Sequence, residues 1–146
     1  MPDKRAVMIL LMLVSCAAAA SAGEQQAGIT VRVEGLRSDK GQVKVELFAK
    51  AGFPEDEKQA LRGERFPAGA TNRVVYFKGV PFGEYAVLAY HDENGDDRLD
   101  KGMFGIPKEG WGVSRNVRPK RGPPQFDDSK ISVTQSVVEC TVRIGY

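Results

Sequence analysis

The sequence predicts an all-β protein, an antiparallel β-sandwich of six to seven short strands with one short surface helix, and three observations carry that prediction. Apolar and polar residues alternate with period two in several short runs, as in Ile29-Thr30-Val31-Arg32-Val33. Turn-forming residues separate those runs, with 16 Gly and 8 Pro in 146 residues. Only one stretch, Pro54 to Leu61, has the composition of a helix. Each such sheet has one apolar face to bury, so two sheets packed face to face are the natural solution.

The first 22 residues stand apart from this pattern and read as a secretory signal. Lys4 and Arg5 form a short basic start, and Ala6 to Val14 an apolar run shorter than the roughly 20 residues a bilayer span needs. Two exits from the signal are open. Ala20-Ser21-Ala22 places small residues where a signal peptidase reads them, with cleavage before Gly23. Leu13-Val14-Ser15-Cys16 offers the alternative, a lipobox in which Cys16 is acylated and anchors the protein to the envelope. Residues 23–28 then read as a linker and 29–146 as the domain. Either route predicts a periplasmic or secreted location, or a lipid-anchored one.

Without the signal, 19 basic face 18 acidic side chains, close to neutral. That balance argues against nucleic acid or a bulk anionic membrane as the main partner and leaves a protein or carbohydrate of the cell envelope. Cys140 is the one cysteine beyond the signal, so the domain must be held by its core and not by an intrachain disulfide.

Taken in order, Ile29 to Leu36 reads as a half-buried strand, Ser38-Asp39-Lys40-Gly41 as a turn, and Gln42 to Ala49 as a second strand with Val43, Val45 and Leu47 on one face. Together they predict a β-hairpin. Pro54 sits where a first helical residue would, ahead of Glu55 to Leu61. Strands are expected again over Asn72 to Lys78 and Glu84 to His91, joined tightly through Gly79-Val80-Pro81-Phe82-Gly83 as adjacent antiparallel neighbours. Lys101 to Gln125, rich in Gly and Pro, is expected to be irregular, and a loop of that length in a compact domain is usually functional or disordered. Phe104, Trp111 and Phe126 favour an ordered loop packed over something. The chain closes on strands at Lys130 to Val133 and Ser136 to Ile144, the latter with Val138, Cys140, Val142 and Ile144 facing inward.

Between the strand ending at His91 and the long loop lies the one candidate site. Counting from Asp92, side-chain oxygens fall at positions 1 (Asp92), 3 (Asn94), 5 (Asp96) and 9 (Asp100), with the Arg98 carbonyl at position 7. This is the spacing of a calcium loop, in which alternate residues of a tight turn aim oxygens at a hard cation. Asp97 replaces the usual Gly at position 6 and Met103 the bidentate Glu at position 12. Such a loop would bind calcium only weakly, on the order of 10⁻⁴ to 10⁻³ M, unless Glu109, Asp127 or water completes the shell. The competing reading is a solvated acidic turn bent at Asn94-Gly95. In either case the role expected is a structural brace, because a catalytic metal needs an open position and a reacting partner.

Few other residues suggest chemistry. His91, the only histidine, lacks an identifiable nucleophile and reads better as structural than as a general base. Ser114 and Ser129 lack the context of a nucleophile elbow. In the long loop Phe104, Trp111, Arg115 and Arg118 form a candidate ligand-binding set, with Lys120 and Arg121 adding charge; Trp111 either stacks on a sugar or covers the core edge.

The ordered runs Val80-Pro81-Phe82-Gly83-Glu84-Tyr85, Tyr90-His91-Asp92-Glu93-Asn94-Gly95-Asp96 and Phe104-Gly105-Ile106-Pro107-Lys108-Glu109-Gly110-Trp111-Gly112, followed by Pro124-Gln125-Phe126-Asp127-Asp128, resemble the bacterial family called domain of unknown function 2141. The resemblance spans about Ile29 to Ile144 and implies an exported β-sandwich with no known activity. The family's acidic loop has Asn-Gly where this chain has Asp96-Asp97. The Val-Pro-x-Gly-x-Tyr turn is also similar to those of transthyretin-like and other Ig-like modules, which mostly bind or space. The expected function is therefore a non-enzymatic exported module, possible calcium stabilisation included. The alternative is an enzyme acting on envelope carbohydrate or peptide through His91 and a nearby carboxylate.

Overall fold

A computed structural model describes residues 23–146, so the stretch read as a signal and the candidate lipobox at Cys16 lie outside the described residues. Eight strands form two sheets. The first sheet has three strands in the order β4 (Val74–Pro81), β1 (Gln26–Glu34), β8 (Val137–Arg143). The second runs β3 (Arg62–Pro67), β2 (Gln42–Phe48), β5 (Gly83–Asp92), β6 (Gly110–Val113), and β7 (Ile131–Val133) also pairs with β5. The all-β sandwich of the sequence analysis is the observed class.

Its wiring and its elements differ from expectation in five places. β1 and β8 run parallel, from Gly28 opposite Val137 to Glu34 opposite Arg143. β1 and β2 form no hairpin, for they lie in different sheets; the same holds for β4 and β5. The physical reason is common to both. Alternation fixes which side chains face inward, and that face is satisfied equally by a hairpin within one sheet and by an arch between two. The Val80 to Tyr85 run makes the second arch, locked where the Tyr85 hydroxyl donates to the Pro81 carbonyl at 2.9 Å. Helix composition at residues 54–61 yields only a 3-10 turn, Glu57–Gln59, started by Asp56 accepting from Lys58 N. Finally, β1 begins at Gln26, inside the stretch read as linker.

Between the sheets lies the core expected from the alternation. Ile29, Val31 and Val33 of β1 and Cys140 and Val142 of β8 meet Val43, Val45 and Leu47 of β2 and Val87 and Ala89 of β5. Cys140 is a free, buried thiol, and burial pushes its pKa up to about 11, which leaves it protonated and inert.

β5 is buried on both faces. Every residue from Tyr85 to Asp92 is inaccessible, so its outer face needs cover as much as its inner one. Phe48, Leu88, Tyr90 and Val113 form a second cluster there, roofed by Phe53, Ala60, Leu99, Trp111 and Val117. The 53–60 segment and the long loop make that roof, and the loop carries the short strand β6, paired from Leu88–Val113 to His91–Gly110. β6 and β7 take successive stretches of β5, and Ser114 stands between them. Its hydroxyl accepts from Val87 N at 2.9 Å and donates to the Ser129 carbonyl, so it bridges the ladder where neither strand does. That use leaves Ser114 no nucleophilic role.

Candidate functional site

The loop after β5 is organised by one carboxylate. Asp92 is fully buried. Its Oδ1 accepts from Gly95 N at 2.7 Å and Asp96 N at 3.2 Å, and its Oδ2 from Asp97 N at 2.9 Å and the Gln42 amide at 2.8 Å. Burial alone would raise its pKa; the Gln42 amide and the three loop N–H groups outweigh that and hold it below the ordinary value. The turn curls this tightly because Gly95 and Asp97 both adopt positive φ, 76° and 65°. Asp97 thus takes the left-handed geometry that the calcium pattern assigns to glycine at that position, and Arg65 at 2.6 Å and the Gln42 amide at 2.7 Å hold its carboxylate.

A second buried carboxylate ties the loop's ends together. Glu109 accepts from Glu93 N at 3.0 Å through Oε1 and from Asp100 N at 3.1 Å through Oε2. Burial keeps its pKa raised against those two bonds. The brace expected of the loop is therefore built from hydrogen bonds. The remaining oxygens are partly used as well: Asn94 accepts from Asp96 N and donates to Asp100, and Asp96 accepts from Arg98 N. Asp127 does not join the loop; it pairs with Lys50 and Lys130. Among the described residues no group of three His, Cys, Asp or Glu side chains is placed to hold a metal.

His91 is buried beneath this loop with both ring nitrogens engaged. Nε2 lies 2.7 Å from the Lys40 carbonyl, which can only accept, so Nε2 carries the proton and Nδ1 accepts from the Tyr146 hydroxyl at 2.6 Å. Arg37 stacks over the Tyr146 ring and pairs with Glu93, whose pKa it draws down to about 2 with help from Ser38. His91 is a strut, as the sequence favoured.

Beside the loop, an open cleft of about 840 Å³ crosses the outer face of the second sheet. It is lined by the 54–58 segment and residues 119–124, by Leu88, Leu99 and Trp111, and by Phe104 and Ile106. Of the four residues predicted for a ligand loop, Phe104 and Trp111 line it. Arg118 does not. Its guanidinium stacks on the Trp111 ring at 4.6 Å and donates to the Trp111 and Arg143 carbonyls at 2.6 and 3.3 Å, so it pins the loop to the sheet. Arg115 sits in a 3-10 turn at φ 62°, away from the cleft. Arg118 lies over the Trp111 ring, and Trp111 also packs against the second cluster while lining the cleft.

Sequence reasoning missed an ionic cluster that reaches the 54–58 segment. Lys44 lies 2.9 Å from both Glu46 and Glu57. Burial would lower the ammonium's pKa; the bonds to Glu57 and Glu46 outweigh it and raise the value. Glu46 goes the other way, pushed up by burial more than Lys44 pulls it down, and its Oε2 is buried without a partner. A signal was present in the charged pair Lys44 and Glu46 on the outward face of a strand whose neighbour, β5, reads apolar on both faces. Also missed was the exposure of Met103 and Ile106 beside Phe104.

Fold and site together define a small β-sandwich module whose second sheet carries a loop-roofed outer face and an open cleft. The chain belongs to the bacterial family described as "Uncharacterized protein conserved in bacteria (DUF2141)", matched over residues 31–141. Neither the curated proteins nor the solved structures contain a match to it. Among the described residues no helix is long and apolar enough to cross a membrane.

Proposed function

We propose that the protein is an exported, non-enzymatic module that binds a protein or carbohydrate of the cell envelope in the cleft over its second sheet. It acts in the periplasm or outside the cell, with anchoring through Cys16 as the alternative address. The observation that carries this reading is the cleft itself, whose rim cations Arg98, Lys120 and Arg121 enter no ion pair or side-chain hydrogen bond among the described residues. Such a rim suits ligands bearing carboxylates or phosphates. Binding is favoured over turnover because His91, the base of the enzymatic alternative, already spends both nitrogens on Lys40 and Tyr146.

Trp111, the single tryptophan, reports on the cleft. Titration with soluble muropeptides and with uronate oligosaccharides should give a saturable change in its fluorescence with one of them. Lys120→Gln with Arg121→Gln should weaken that binding at least about ten-fold. Turnover of either ligand class by the wild-type protein would overturn the reading, and so would a flat titration with both.

Calcium belongs to this proposal as an addition to a brace already closed by hydrogen bonds. Asp96 is exposed and Asp100 half-buried, close in sequence and of like charge. Millimolar calcium should raise the melting temperature by a few degrees, and Asp96→Ala with Asp100→Ala should abolish the shift. An unchanged wild-type melting curve removes calcium from the account.

A further inference from the structure

Residues 101–107 form a closed finger that lines the cleft. Lys101 pairs with Pro107, and Gly102 N donates to the Ile106 carbonyl at 2.7 Å. The tip presents Met103, Phe104 and Ile106 to solvent at 79, 93 and 64 % exposure. Phe104 is held at φ 62°, a left-handed conformation that bulky residues adopt only at a cost in strain. Three large apolar side chains on one convex tip, one of them on strained backbone, are not explained by contact with water alone.

Cations line the cleft to which the finger belongs. Lys108 stands at the base of the finger, its chain lying against Gly102, and Arg98, Lys120 and Arg121 follow along the cleft rim. Lys108, like the other three, enters no ion pair among the described residues. Two of the nearby carboxylates are paired with lysines, and three others accept hydrogen bonds from uncharged groups. Glu55 pairs with Lys101 at 3.4 Å and Glu57 with Lys44, while Asp56 accepts from Lys58 N and the Gln59 amide. Across the loop, Asp96 accepts from Arg98 N and Asp100 from the Asn94 amide.

We infer that this finger inserts into the interfacial layer of an anionic lipid bilayer, with Lys108, Arg98, Lys120 and Arg121 against the headgroups. The inference rests on the reading of this face as the binding face. A bilayer accepts apolar side chains to a depth of roughly 5–10 Å without a complementary pocket, and long basic side chains reach back to the phosphates. A second copy of the chain is a poorer occupant, because a two-fold axis through the tip sets these same unpaired cations opposite one another. The near-neutral overall balance creates no long-range field, so the attraction is local and salt-sensitive.

The test is co-sedimentation of the full chain, produced without lipid modification, with vesicles of mixed phosphatidylglycerol and phosphatidylcholine and with vesicles of phosphatidylcholine alone. The wild type should sediment with the anionic vesicles, less so at high salt, and far less with the neutral ones. Met103→Ser with Phe104→Ser should reduce binding at least about ten-fold at an unchanged melting temperature, since both side chains are exposed. Lys120→Gln with Arg121→Gln should reduce it roughly twenty-five-fold, at about five-fold per cation. Equal sedimentation of the Met103/Phe104 variant would show adsorption by charge alone and overturn insertion; equal binding to neutral vesicles would overturn the role of the cations. A wild type that ignores the vesicles while keeping its Trp111 titration with soluble ligands overturns this inference and leaves the cleft reading standing. Failure of both assays overturns both.

Discussion

Asp92→Ala is expected to cost about 3 kcal/mol of stability at neutral pH. The Asp92 carboxylate holds three loop N–H groups and the Gln42 amide. Hydrogen bonds to a charged group contribute about 1.5–3 kcal/mol each, and the exposed loop recovers part of that loss by turning its N–H groups to water. Asp92→Asn should fall between, because an amide keeps one acceptor but presents an NH₂ where loop donors point. The sign of the pH dependence follows from the lowered pKa. A carboxylate whose folded pKa lies below its unfolded one stabilises fully above about pH 4 and loses that contribution as pH falls through the folded value. Urea denaturation at pH 7 and at about pH 3 should therefore show the gap between wild type and Asp92→Asn narrowing in acid. A loss under about 1 kcal/mol at pH 7 would mean that Asp92 does not organise the loop.

Phe48→Ala should cost about 3–5 kcal/mol, as large a loss as for a residue between the sheets, although Phe48 points out of the sandwich. It is fully buried and meets Phe53 edge-on at 5.7 Å, and Phe53 in turn meets Phe126 at 6.0 Å. Removing the ring takes the support from under both segments that roof the outer face. The variant should thus lose stability and also become sensitive to protease within residues 98–125, whereas Val45→Ala on the inner face should lose stability alone. Chemical denaturation and limited proteolysis on the two variants test this directly. A loss below about 1 kcal/mol with an unchanged digest would dismiss the second core.

The same residues show how much of the fold was legible beforehand. Alternation in Ile29 to Val33, Val43 to Leu47 and Val138 to Ile144 specified the inward faces, and those side chains do make the core. What alternation cannot specify is the partner strand, so a hairpin was expected where the chain arches between sheets. The unbroken run Tyr85-Ala86-Val87-Leu88-Ala89-Tyr90 carried the hint of a second buried face, and its cover was already implied by Trp111 and Phe126 in the long loop. β6 stayed hidden because Gly110-Trp111-Gly112-Val113 has little strand propensity of its own; it pairs because β5 offers it an edge. At the acidic loop, spacing singled out Asp92, Asn94, Asp96, Arg98 and Asp100 as a cation loop, and hydrogen bonds link Asp92, Asn94, Asp96 and Asp100. It could not show that the loop's own N–H groups fill Asp92, since backbone donors are the same at every position of a sequence. Arg118 was misplaced for a related reason, its partners being carbonyls of Trp111 and Arg143 that no pattern marks.

The parallel pairing of β1 with β8 also sets the order in which this molecule can be completed. Gly28 finds Val137, and Glu34 finds Arg143, across almost the whole chain. Of the neighbours along the sequence, only β2 with β3 and β5 with β6 pair directly. A chain emerging from its N-terminus therefore carries β1 with one edge open until its last residues arrive. Closure is set by non-local contacts, which form slowly, so the first sheet is completed only after β8 has joined β1.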